Sequence, residues 1–133
     1  GSIRAPKYRH GGIVFGPVPR DYSKKMNKKE KRLALRSALS YKALDKELIV
    51  IDAINLTTNK TKEMVELLNN LKITNNKVLI CVKDLTDNVC LAARNLANIK
   101  VVLPCEINTY DVISSDNLLI EEEALKALEE VLK

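Results

Sequence analysis

From residue 47 onward, short runs of consecutive apolar residues alternate with longer stretches in which apolar residues return every three or four positions. The runs are ELIVID (47–52), KVLICVK (77–83), KVVLP (100–104) and NLLIE (117–121). Apolar on successive positions and rich in β-branched residues, they predict strands buried on both faces. Between them, 61–73 carries Met64, Leu67, Leu68 and Leu71 at the spacing of one helical face. A shorter helix over about 87–96 aligns Val89, Ala93 and Leu96, one turn covers 110–113, and a closing helix over 121–132 aligns Leu125, Leu128 and Leu132. Strand–helix alternation predicts an α/β fold. It is a three-layer α/β/α domain with a parallel sheet of about four strands, right-handed crossovers and helices on both faces. Ahead of the first strand, strong helix formers over 28–46 predict another helix, with Asn27 at its N-cap and Leu35, Ala38 and Leu39 turned to the domain.

The segment GSIRAPKYRHGGIVFGPVPRDYS (1–23) follows neither period. Pro6, Pro17 and Pro19 exclude a regular helix, and Pro17 with Pro19 favours a stiff, extended backbone. Fully stretched, it would reach roughly 70 Å. The composition shifts near 23–27, which divides the chain into an extended basic arm (1–26) and a globular α/β domain (27–133).

Charge follows the same division. Residues 1–36 hold eleven Lys and Arg against Asp21 and Glu30, a net of +9, whereas the remaining residues carry a net of −4. A basic segment on a mildly acidic globular part is the footprint of a protein presenting one end to a polyanion. Within the arm, Ile3, Tyr8, Ile13, Val14, Phe15 and Tyr22 are interspersed with Arg4, Lys7, Arg9 and Arg20. This mixture suits a segment that orders on RNA, where rings and guanidinium planes stack and cations neutralise phosphates. The alternative is a strap packed across its own domain. In the first helix Lys28, Arg32 and Arg36 share one face, with Lys29 beside them and Lys24 and Lys25 just ahead. Cations at a helix start oppose the macrodipole at a cost of a few tenths of a kcal/mol each, which an anionic partner would offset.

An open parallel sheet invites an enzyme reading, because ligands settle beyond the carboxyl ends of its strands. Asp52 and Asp84 stand at two such ends and would anchor a small nucleotide- or phosphoester-binding enzyme. The competing assignment makes them turn and cap residues. No phosphate-cradling or nucleophile-elbow motif occurs, and three of the four glycines precede residue 13 while none lies in a strand-to-helix turn. His10 sits in the arm with no acid near it in sequence except Asp21. Tyr110 and Asp111 either line a pocket or complete a hydrogen-bonded loop. No catalytic residue, cofactor, metal or small-molecule substrate is assigned.

Cys81, Cys90 and Cys105 lack the close spacing of a zinc site, and their odd number suits reduced thiols inside a cell. No apolar run approaches the roughly 20 residues of a membrane span, and no signal-peptide pattern is visible. Lys- and Asn-rich usage hints at a low-G+C bacterial or an organellar source.

The residues also carry a resemblance. R-x-P-x-x-R-x-G-G from Arg4, V-F-G-P-x-P-R from Val14 and R-L-A-L-R-S-A-L from Arg32 resemble the bacterial large-subunit ribosomal protein four family. TKEMVELLNNL, LAARNL, INTYDV and the closing helix follow it in order, so the match covers essentially the whole chain. The resemblance implies a structural constituent of the large ribosomal subunit, not an enzyme. It would bind large-subunit rRNA, meet neighbouring large-subunit proteins and no membrane, support assembly, and reside in the cytoplasmic or organellar ribosome. In that family a long basic loop enters the rRNA and reaches the peptide exit tunnel, and some members repress their own messenger RNA. By position Arg4, Lys7, Tyr8, Arg9 and His10 would lie on the loop's returning half. Arg20, Lys24, Lys25, Lys28, Lys29, Arg32 and Arg36 would lie at its base and along the helix. The outgoing half and the tip fall outside this chain. Arg94 and Asn95, in LAARNL, are candidates for RNA contact from the globular domain, although Arg94 serves equally as an exposed helix charge.

Overall fold

The four apolar runs become the four strands of one sheet in a computed structural model that describes residues 1–74 and 76–132. In chain order the elements are α1 (Lys28–Leu44), β1 (Leu48–Ile51), α2 (Thr61–Asn70), β2 (Val78–Cys81), α3 (Asp87–Ala93), β3 (Ile99–Val102), α4 (Thr109–Ser114), β4 (Asn117–Glu121) and α5 (Glu122–Leu132). All strand pairs are parallel and the order is β1-β4-β2-β3, so the last strand is inserted between the first two. Leu118 aligns with Leu48 on one side and with Leu79 on the other.

Side-chain alternation along the strands splits the core in two. Leu79, Cys81, Leu118 and Ile120 pack with Leu35 and Ala38 of α1, Val112 of α4 and Ala124 and Leu128 of α5. Val78, Ile80 and Leu119 turn the other way, onto Met64 and Leu68 of α2 and Val89, Ala92 and Ala93 of α3. This is the expected three-layer fold. The crossovers from β1 to β2 and from β2 to β3 travel one way across the sheet, and their helices share a face. The return from β3 to β4 travels back, and α4 lies on the opposite face. A single crossover hand requires that arrangement.

Three helices stop earlier than their periodicity predicts. After α2, Lys72 adopts φ 60°, its N–H donates to the Asn69 carbonyl and the Ile73 N–H to the Leu68 carbonyl. That closure ends the helix and turns Ile73 into the core. The end of α1 is built the same way, with Lys46 at φ 59° and the Glu47 N–H bonded to the Lys42 carbonyl. In α3 the regular turns end at Ala93, and Leu96 reaches back to the Ala93 carbonyl. At the start of α1, Asn27 is the N-cap, and its N–H donates to Glu30 Oε2 at 3.3 Å.

Candidate nucleic-acid interface

Residues 1–26 contain no helix or strand. Their far end is nevertheless folded rather than stretched. The Tyr8 N–H donates to the Ala5 carbonyl (3.0 Å), the Gly11 N–H to Tyr8 (2.9 Å) and the Gly12 N–H to Arg4 (2.8 Å). A β-carbon on Gly11 would run into the Ala5 carbonyl oxygen, so this close approach requires glycine. Gly11 is therefore a point of closure. The turns gather Arg4, Lys7, Tyr8, Arg9 and His10 onto one small loop, with His10 at φ 66°.

Beyond Gly12 the chain runs to α1 with no regular backbone pairing. Among the described residues, every hydrogen bond of residues 1–26 stays within that segment. Ile3, Ile13, Val14, Val18 and Tyr22 are exposed, and Phe15 is 95% exposed, so these side chains do not strap across the domain. The Arg20 guanidinium lies 4.3 Å from the Tyr22 ring centroid, and Lys7 Nζ lies 5.3 Å from that of Tyr8. Cation and ring are thus presented together as flat, charged pairs. Asp21, the segment's sole acid, accepts from the Ser23 N–H (2.8 Å) and hydroxyl (2.7 Å). Those bonds hold its carboxyl below the usual carboxylate range.

Among the described residues Arg4, Lys7, Arg9, Arg20, Lys24, Lys25, Lys28, Lys29 and Arg32 have no acid within ion-pair distance. All are exposed, so their field is not spent inside the molecule. Lys31 is exposed beside Arg32 and joins them. Sequence reading passed it over, although it lies one turn from Lys28 and its spacing could have flagged it. Arg36 is also exposed, but its guanidinium donates to the Leu132 carbonyl and so ties α1 to the end of α5. Arg94 is the C-cap of α3, and Asn95 follows it. Both are exposed, but α3 packs on the sheet face opposite α1, so the fold does not bring this pair together with the N-terminal cations.

The crevice at the carboxyl ends of the strands is closed by a residue that sequence reading missed. Glu121, at the end of central β4, accepts from the Ile54 N–H through Oε1 and from the Lys83 N–H through Oε2, each at 2.8 Å. Its carboxylate clamps the loops after β1 and β2 where an α/β enzyme would receive its ligand. Asp52 and Asp84 lie exposed in bends and form no site together. They are not caps either, since Lys60 and Thr86 occupy those positions. Asn108 Oδ1 accepts from the Asp111 N–H (2.8 Å), while Asp111 Oδ2 accepts from Asn108 Nδ2 (2.8 Å) and Lys100 Nζ (2.6 Å). That makes the hydrogen-bonded helix start; Asp111 also lines a small pocket with Lys100 and Ser115, whereas Tyr110 is exposed and lies outside it. No cluster of potential metal ligands occurs among the described residues. Cys81 is buried, and burial, followed by the charges of Glu121 and Cys105, pushes its thiol up to about 11. No helix among the described residues is long and apolar enough to cross a membrane.

Residues 1–131 match the model of the ribosomal protein L4/L1 family. Curated relatives described as large ribosomal subunit protein uL4 align over nearly the whole chain. That of Halothermothrix orenii is 48% identical over 99% of the chain, and that of Lachnospira eligens is 49% identical over 98%. That of Brevibacillus brevis is 46% identical over 99%. In each case the chain spans 63% of the relative's length.

Proposed function

The chain belongs to the ribosomal protein L4/L1 family, and from that premise we propose that it serves as a structural constituent of the large ribosomal subunit, not as an enzyme. It binds large-subunit rRNA through residues 1–26 and the first half of α1, and it supports assembly of the particle in the bacterial-type ribosome. The observation that carries this reading is the row of exposed cations from Arg4 to Arg32, without acidic partners among the described residues and interspersed with apolar and aromatic side chains that stay largely exposed. Cations in that state neutralise phosphates, and unburied rings stack on bases. Arg94 and Asn95 contribute from the opposite face, so the domain is held at two separate places. In the family-length protein residues 1–26 form the returning half of a loop directed towards the peptide exit tunnel, and neighbouring subunit proteins cover part of the domain.

The test compares the chain with a variant in which Arg4, Lys7, Arg9, Arg20, Lys24 and Lys25 are all alanine, using bacterial large-subunit rRNA and a salt titration. Each lost phosphate contact should flatten the slope of log affinity against log salt by about 0.7 to 0.9. Six contacts therefore predict a change of about 4 to 5. An unchanged slope in a variant with unaltered thermal unfolding would overturn the proposal.

A further inference from the structure

The two edges of the sheet are finished differently. On β3, Lys100 stands within the strand with its ammonium paired to Asp111 of α4, so that edge carries a charged pair. On β1 the residues are Leu48, Ile49, Val50 and Ile51, with no charge among them, and none of the four is fully buried. Leu118 donates its N–H to the Glu47 carbonyl. The alternation of a parallel ladder then turns the N–H and C=O of Leu48 and Val50 to the open side, where no strand of the described residues accepts them. Beside this edge, on the α2 face, lies a groove of about 430 Å³ with Ile51, Leu56, Leu67 and Leu71 among its walls. Glu63 and Glu66 also line it with no basic residue among the lining, although Lys62 Nζ stands 3.8 Å from Glu66 Oε1 in an exposed pair that contributes little. The Glu63 carboxyl is held below the usual range by hydrogen bonds from Thr58, first from its hydroxyl and then from its N–H, with Thr57 adding to them.

We infer that the free edge of β1 receives an extended basic tail of a neighbouring protein, added as a further strand. A strand laid there would satisfy the outward groups of Leu48 and Val50. Its alternate side chains would enter the groove, where apolar residues meet Ile51, Leu67 and Leu71 and cations meet Glu63 and Glu66. The same carboxylates exclude a phosphate backbone, so this face and the cationic N-terminal surface select different partners. The source of the tail, a protein of the same particle, rests on the ribosomal reading. The edge itself stands on the geometry of β1 and its groove.

Hydrogen exchange on the full chain tests the inference, with a synthetic peptide of about eight residues as the probe, threonine at every second position and valine and lysine taking turns at the positions between, within the usual length of a strand. At saturation the Leu48 and Val50 amides should exchange at least about tenfold more slowly, with Ile49 and Ile51 unchanged. The same peptide with glutamate in place of lysine should give no slowing. Val50→Pro removes an outward donor and no ladder bond and should abolish the effect. Glu66→Lys, at an exposed helix position, should weaken peptide binding severalfold even if the proline variant does not fold. The inference is overturned if neither amide slows, or if RNA alone slows them. It is also overturned if they slow with rising protein concentration in the absence of peptide, which would make a second copy the occupant. RNA affinity measured on the same samples separates the two proposals. Loss of peptide protection with RNA binding intact removes the edge alone, and absence of RNA binding with protection intact removes the ribosomal reading.

Discussion

Phe15 and Leu119 are both large apolar residues, one 95% exposed and the other fully buried. Lys28 and Lys42 lie on the same helix. Lys28 has no acidic partner among the described residues, whereas Lys42 is held by Glu47 (2.5 Å) and the Ser115 carbonyl (2.6 Å). In the sheet domain, apolar side chains find each other and inward-facing charges find acids, so its residues contribute to the stability of the isolated chain. In residues 1–26 and the first turn of α1, the cations have no acidic partner among the described residues and the large apolar side chains stay exposed. Their free energy is available only to something outside the molecule. What distinguishes the two regions is therefore where the partners of their residues lie, and perturbing each region should be read in a different measurement.

The largest expected separation comes from truncating one apolar residue in each. Leu119→Ala removes a side chain with no exposure at the centre of the sheet and should destabilise the chain by about 2 to 5 kcal/mol in denaturant unfolding. Phe15→Ala should leave unfolding unchanged. On the RNA reading it should weaken rRNA binding by about 1 to 3 kcal/mol through lost stacking. A loss of unfolding free energy in Phe15→Ala comparable with that of Leu119→Ala would erase the distinction.

A second separation uses pH. The buried Cys81 thiol is pushed up from its ordinary 9.0 to about 11, so the folded chain keeps a proton that the unfolded chain releases earlier. The unfolded state then binds fewer protons, and stability falls as pH rises. The contribution is fully present below pH 9 and lost by about pH 11, amounting to about 2 to 3 kcal/mol in that window. Unfolding measured across it should show this loss, and Cys81→Ala should flatten it. Native-state thiol labelling adds a sharper check. Cys90 and Cys105 are exposed and should react, while Cys81 should react only on unfolding.

The strands were legible because four consecutive apolar runs leave few other options, and helix identity followed from spacing. The strand order was not legible. Placing β4 between β1 and β2 depends on pairings such as Leu118 with Leu48 and Leu79, residues far apart in sequence. Helix ends were overrun because Lys46 and Lys72 stop their helices in a left-handed conformation that lysine does not advertise. The charge count located the cations from Arg4 to Arg36 but could not show that Arg36 also bonds the Leu132 carbonyl. Nothing in the sequence distinguishes the loop from Arg4 to Gly12 from open chain, since a glycine needed for close packing and one tolerated in a flexible tail look identical there.

Glu121 sharpens the comparison at a smaller scale, since it is a carboxylate used entirely inside the domain. Glu121→Gln keeps the shape but offers one acceptor oxygen where two backbone N–H groups now bond. The oxygen should stay on the more buried Ile54 N–H and leave the exposed Lys83 N–H to water, so the change should cost about 0.5 to 1.5 kcal/mol in unfolding free energy, with rRNA affinity unchanged. Exchange at the Ile54 or Lys83 amide should accelerate. If neither amide responds, the clamp is not what joins the two loops.

The smallest expected effect isolates the contrast best, because the same backbone conformation occurs in both regions. His10, Lys46 and Lys72 all have φ between 59° and 66°. At Lys46 and Lys72 the conformation is imposed by the helix closures that follow, so the folded state carries the cost of a β-carbon there. Glycine would relieve that cost, although it also loosens the unfolded chain, and the two terms oppose each other. For Lys46→Gly and Lys72→Gly the relief should prevail, raising unfolding free energy by up to about 1 kcal/mol each. His10→Gly relieves the same strain at a place that global unfolding does not report, since residues 1–26 make no hydrogen bond to the domain among the described residues. It should leave the unfolding midpoint where it was. Should His10→Gly stabilise the chain as much as Lys72→Gly does, the loop from Arg4 to Gly12 would have to unfold together with the sheet, and the two regions would be one cooperative unit.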